Sequence, residues 1–131
     1  MVRWFPFLLA ALSSLAIASL APDGRRPFEF DWEISATSLR FSLAKADHIA
    51  ACAALAGLAL LAAGRRRWGV AMGLALLVGL GWELAQGTIV GRGPRLADLA
   101  PDALGAVLGC LLATATRWTI EVLPHLAPRP R

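Results

Sequence analysis

Gly81-Trp82-Glu83-Leu84-Ala85-Gln86, then Gly91-Arg92-Gly93-Pro94-Arg95, then Asp98-Leu99-Ala100-Pro101-Asp102-Ala103-Leu104-Gly105 running on to Gly109: this stretch decides how the chain is read. It is two apolar helices joined by a short basic Gly/Pro turn. The first helix carries a carboxylate and an amide inside an otherwise apolar run. A charge at such a position costs about 2.5–3.5 kcal/mol on insertion scales, so an ionisable residue there is a functional candidate from the outset.

Working outward, residues 68–90 form an apolar run long enough to span a hydrocarbon core of roughly 30 Å. Glu83 lies about 10 Å before its far end by helical rise, and Gly79, Glu83, Gln86 and Val90 fall on one stripe. Residues 99–118 form a further span. There Asp98, Asp102, Gly105 and Gly109 are spaced i, i+4, i+7 and i+11, giving one face that is acidic at the top and bare below. Gly105 and Gly109 make a GxxxG pair, which lets transmembrane helices touch.

On the N-terminal side, residues 46–63 are an Ala-rich run opened by Lys45-Ala46-Asp47-His48 and closed by Arg65-Arg66-Arg67. Residues 4–21 are apolar and uncharged behind Arg3. They can be read as a signal peptide or as a retained first span, and the scarcity of other hydrophobic blocks favours the span. Residues 22–44 read as a polar loop. In it Phe28, Phe30, Trp32 and Ile34 alternate with acids, and an interfacial aromatic segment is preferred over a short strand. Residues 119–131, with Pro124, His125, Pro128, Pro130 and Arg131, read as an unstructured tail.

Composition agrees with this. The 131 residues leave room for one domain, 57% are hydrophobic and the mean hydropathy is +0.60, too apolar for a small soluble domain. Lys and Arg outnumber Asp and Glu by 13 to 9, a net +4. In a membrane protein that excess reports topology and anionic headgroups; no basic and aromatic strip of the nucleic-acid-binding kind accompanies it. Cys52 and Cys110 lie inside apolar runs at mismatched expected depths and read as packing residues, not a disulfide.

The expected architecture is therefore all-α, an integral membrane bundle of four transmembrane helices near 4–21, 46–63, 68–90 and 99–118. Placing Arg65–Arg67 in the cytoplasm puts both termini inside. Arg3, Arg65, Arg66, Arg67, Arg117, Arg129 and Arg131 are then inner, against Arg25, Arg26, Arg40, Lys45, Arg92 and Arg95 outer. The count is nearly balanced, so the triple arginine and Arg3 carry the orientation. In this topology His48, Glu83, Gln86, Arg92, Asp98 and Asp102 all fall in the outer third of the bilayer, a shared depth that unrelated structural accidents would not produce.

Those residues also resemble a family. Lys45-x-x-His48, Glu83-x-x-Gln86, Arg92, and Asp98-x-x-x-Asp102-x-x-Gly105-x-x-x-Gly109 are similar in order and spacing to the VanZ-like family, small membrane proteins of about four helices. The family is named for a protein that lowers susceptibility to the glycopeptide antibiotic teicoplanin. The resemblance covers residues 44–113, with the whole chain as one VanZ-like membrane domain. The family's Asp before the Lys is Ala44 here, with Asp47 beside the His instead, and the family's Asn is Asp102.

The resemblance implies a bacterial cytoplasmic-membrane protein. It would bind a lipid-linked envelope component or a glycopeptide or lipopeptide antibiotic through Lys45, His48, Glu83, Gln86, Arg92, Asp98 and Asp102. Expected partners are membrane lipids, a lipid-linked cell-wall precursor or a glycopeptide antibiotic, with no nucleic acid and no cofactor. An intramembrane enzyme using Glu83 and His48 as acid and base is the first alternative, and a small proton-coupled transporter the second. A metal site from His48, Glu83 and Asp98 has neither a two-histidine helix spacing nor a thiolate set behind it. No nucleophile is evident, since Ser35, Ser38 and Ser42 precede the motif and Thr88 has no partner in the pattern. Plainer readings stand beside these: Glu83 as protonated interhelical glue, Gln86 as an interhelical hydrogen bond, Asp98 as a helix N-cap, and Arg92 and Arg95 as lipid-phosphate contacts.

Overall fold

In the computed structural model, which describes residues 2–126, the chain is helical and forms no strand among the described residues. The helices are α1 (Phe5–Ala18), α2 (Ala36–Leu43), α3 (Ala46–Ala63), α4 (Trp68–Gln86) and α5 (Leu99–Leu126), with 3₁₀ turns at Val2–Trp4 and Leu96–Asp98. Ala46–Ala63, Trp68–Gln86 and Leu96–Ile120 are each long and apolar enough to cross a membrane. They leave Leu77, Leu108, Leu111 and Leu112 exposed on the exterior, as a lipid-facing helix surface requires.

The expected first span is shorter than its apolar run. Helix ends at Ala18, where the Ser19 hydroxyl donates to Leu15 O at 2.8 Å, and Val2–Ala18 covers roughly 25 Å by helical rise. It still packs on the bundle: Phe7 and Ala11 are buried in the common core, and Trp82 Nε1 donates to Ser14 Oγ at 3.1 Å. The other boundaries move too. α4 stops at Gln86, not residue 90, because the carbonyls of Gly87 and Thr88 accept from Glu29 and Arg26 of the preceding polar segment. α5 continues to Leu126, so residues 119–126 of the expected tail are helical, and 127–131 lie outside the described residues.

α3 and α5 run side by side in the same direction, and the glycines explain how closely. A Cβ at Gly105 would come within 3.0 Å of Ile49 backbone atoms, and one at Gly109 within 3.0 Å of Ala53 backbone atoms. Neither position has room for a side chain. Cys52, Ala56 and Ala59 on α3 and Ala106 and Cys110 on α5 are fully buried in this seam, both cysteines as free thiols.

Residues 24–31 cross the α4–α5 turn as an extended strap. Val90 N–H donates to Gly24 O (3.2 Å), Arg26 N–H to Thr88 O (2.8 Å), Glu29 N–H to Gly87 O (2.9 Å), Asp31 N–H to Pro94 O (3.1 Å) and Leu96 N–H to Asp31 O (2.8 Å). Only isolated bridges result, at Arg25 with Ile89 and Asp31 with Arg95, so the segment is not a strand. Phe28, Phe30 and Trp32 line up as a ring series, with centroids 6.3 and 4.5 Å apart. The loop expected over 22–44 also contains α2. Ser35 starts it with a capping box in which Ser38 takes the place that Glu or Gln usually holds.

Candidate functional site

The strap, the start of α3, the end of α4 and the start of α5 meet at one end of the bundle. Arg3, Arg65–Arg67 and Arg117 belong to the other end, where Arg3 and Arg117 donate to the last carbonyls of α3, at Ala62 and Leu61. At the strap end three carboxylates are almost wholly buried: Glu83 (1% exposed), Asp98 (0%) and Asp102 (0%). Buried carboxylates need partners, and the three are supplied unequally.

Asp98 uses both oxygens. Ser42 Oγ donates to Oδ1 at 2.6 Å and Lys45 Nζ donates to Oδ2 at 2.7 Å. Its carboxylate thus holds α2 and the head of α3 to the start of α5, a tertiary role in place of the expected N-cap or a pairing with Arg92. Glu83 accepts the backbone N–H of Arg95 at Oε2, 2.9 Å away, and its Oε1 stands 3.9 Å from His48 Nε2, an ion-pair distance too long for a hydrogen bond. Asp102 accepts from His48 Nδ1–H at 3.0 Å, while its Oδ2 is buried without a hydrogen-bond partner. Gly79 makes the space for that oxygen, because a Cβ there would approach it within 3.0 Å. The close approach at Gly79 is to a carboxylate and not to a helix backbone.

His48 sits between two carboxylates, from α4 and α5, with its ring edge-on to Trp82 at 5.9 Å between centroids. Its Nδ1 is oriented by Asp102, which leaves Nε2 on the Glu83 side. Beside it opens a groove of about 250 Å³ between α1, α3 and α4. Ile17, Ala18, Ala51 and Trp82 give it an apolar wall; Asp47, His48, Gln86 and Arg92 give it a polar one. Arg92 is exposed and makes no ion pair or side-chain hydrogen bond among the described residues, although its carbonyl accepts from Arg26 at 2.7 Å. Arg95 is tied down instead, with Nε 3.7 Å from Asp31 and its guanidinium 5.2 Å from the Phe41 ring centroid.

The seven expected polar residues are thus brought to one end but divided in two. Lys45, His48, Glu83, Asp98 and Asp102 form an internal network; Gln86 and Arg92 join His48 at the groove. Asp47 lines the groove. Sequence reasoning does not single out Ser42 or Trp82 for this site. Ser42 belongs to a helix that the sequence pattern does not reveal, and its hydroxyl is buried against Asp98, so it is not a free nucleophile. No group of three or more His, Cys, Asp or Glu side chains is placed to hold a metal ion among the described residues.

Nothing matches. Neither a known protein family, nor a characterised protein, nor a solved structure resembles the chain closely enough to lend it an identity. The functional reading rests on the site alone.

Proposed function

We propose that this is a multi-pass membrane protein of VanZ-like type whose strap-end groove, on the outer face, binds the anionic headgroup of a lipid-linked envelope component or an antibiotic that targets one. One observation carries the reading: the buried acids take their partners from Ser42, Lys45, His48 and the Arg95 backbone, yet Arg92 stands unpaired at a groove with one apolar and one polar wall. A guanidinium is a planar, multi-donor partner for phosphate or carboxylate, and the wall of Ile17, Ala18, Ala51 and Trp82 suits an acyl or isoprenoid chain. The internal network has the role of scaffold, fixing the turn that presents Arg92.

Expression in a susceptible bacterium tests this, with tolerance to a teicoplanin-type lipoglycopeptide as the readout. The wild-type chain is expected to change tolerance. Arg92→Ala and Gln86→Ala, which remove no contact of the network, abolish the change at unaltered membrane abundance. Unchanged tolerance to any envelope-acting compound in the wild type would sink the proposal.

The Asp102–His48 hydrogen bond favours one second reading. A carboxylate that orients an imidazole and leaves Nε2 at a groove is the arrangement of a general base, here acting on a lipid headgroup. A covalently altered lipid appearing in extracts on expression, and disappearing with His48→Gln, would establish the enzyme reading over recognition.

A further inference from the structure

The opposite end of the bundle holds a second site, one that no sequence motif marks. A cavity of about 400 Å³ is lined by Arg3, Trp4, Ala62, Ala63 and Arg67, and no carboxylate lines it among the described residues. Arg3 has a structural role there, donating to Ala62 O at the end of α3, where a cation also meets the negative end of the helix dipole. Arg117 does the same at Leu61 O, 2.8 Å away.

Arg67 plays no comparable part, since its side chain makes no ion pair or hydrogen bond among the described residues. It therefore brings a second guanidinium to a cavity that already has one on its wall, with no described carboxylate beside them. α4 begins at the next residue, Trp68, with no side-chain cap on its first turn, so Arg67 stands at the positive end of that helix dipole. Trp4 lines the cavity, and on the adjoining helix α1 the side chains of Phe5, Leu8, Leu9 and Leu12 are all exposed.

We infer that this cavity binds a phosphate group, with Arg3 and Arg67 as its two guanidinium donors and α1 as the track for attached acyl chains. An anionic phospholipid carries that chemistry. The inference rests on the chain being membrane-embedded and not on what occupies the groove at the other end, so failure of Arg92→Ala to alter tolerance leaves it standing.

The full-length chain is purified into phosphatidylcholine nanodiscs, and phosphatidylglycerol is titrated in while lipid retention is counted by native mass spectrometry. The wild type is expected to retain phosphatidylglycerol over phosphatidylcholine. Arg67→Gln reduces that preference on the order of tenfold, the scale of one charge-assisted contact, and Arg40→Gln, on α2 at the far end, leaves it unchanged. Arg67 makes no side-chain contact that folding could lose, so an unaltered melting temperature in phosphatidylcholine is expected for this variant. Inorganic phosphate in a parallel arm separates the sources. A melting-temperature rise in wild type but not in Arg67→Gln identifies a free phosphate as sufficient ligand; a rise with phosphatidylglycerol alone identifies the lipid headgroup. Equal retention of both lipids by wild type and Arg67→Gln, with no response to phosphate, overturns the inference.

Discussion

Asp98 and Asp102 lie one helical turn apart, equally buried, yet they are not equivalent. Both oxygens of Asp98 are occupied, by Ser42 and Lys45, whereas Asp102 leaves Oδ2 with no donor against Gly79. Neutralising Asp98 leaves Lys45 facing an amide, and loss of a hydrogen bond to a charged group costs about 1.5–3 kcal/mol. Neutralising Asp102 removes an incompletely answered buried charge while its remaining carbonyl still accepts from His48, which is close to neutral or stabilising. Asp98→Asn is therefore expected to lower the unfolding temperature in detergent, and Asp102→Asn to leave it level or raise it. Equal losses in the two variants would show that Oδ2 has a donor after all. Gly79→Ala probes the same oxygen sterically. Overpacking there is expected to cost about 1–3 kcal/mol, and the double variant with Asp102→Ala should cost less than the two single losses added, because each removes the other's clash. Strict additivity would mean that Gly79 and Asp102 do not meet.

At the scale of elements, the α3–α5 seam tolerates no side chain at two points. Gly105→Leu and Gly109→Leu are expected to lower folded membrane yield severalfold, since each must force α5 off the α3 backbone. Leu111→Ala, on the exposed face of the same helix, should be nearly silent, and equal tolerance at all three sites would contradict the seam. This contact is legible in the sequence because the Asp98, Asp102, Gly105 and Gly109 periodicity has few meanings in an apolar helix. The clustering of Lys45, His48, Glu83, Asp98 and Asp102 is legible for a related reason, a shared depth counted from helix ends. Which acid takes which base is not, because depth leaves rotation about each helix axis undetermined. That Lys45 and not Arg92 answers Asp98 is settled only by the packing of three helices. α2 escapes sequence reading for want of a usual signal: its cap reads Ser-x-x-Ser, and eight residues hold little more than two turns of hydrophobic pattern. The end of α4 is misplaced because apolar residues continue to Val90, while the helix is ended by backbone bonds to a strap far earlier in the chain.

For the whole molecule, both ends of the bundle carry basic residues but the buried acids lie at one of them, and which end faces outward decides whether the proposed function is possible. Arg3, Arg65–Arg67 and Arg117 collect at one end; the strap, the buried acids and the Arg92 groove collect at the other. With the two counts nearly balanced, the triple arginine in its short loop is what favours the cytoplasmic side, and on that orientation the groove is expected to face outward, where envelope intermediates and glycopeptides are met. α1 runs from Arg3 at the Ala62 end to Ser14 beside Trp82, so it covers most of the bundle's height despite its length. The orientation is tested by single thiols at Arg66→Cys and Gly93→Cys, against a background in which Cys52 and Cys110 are fully buried and should not react. A membrane-impermeant maleimide applied to intact cells is expected to label Gly93→Cys, and Arg66→Cys only after permeabilisation. The reverse pattern would place the groove in the cytoplasm, beyond the reach of any glycopeptide, and the outer-face recognition reading would fall with it. The phosphate cavity would then face outward in its place, so the same two thiols decide which of the two sites is exposed to the cell envelope.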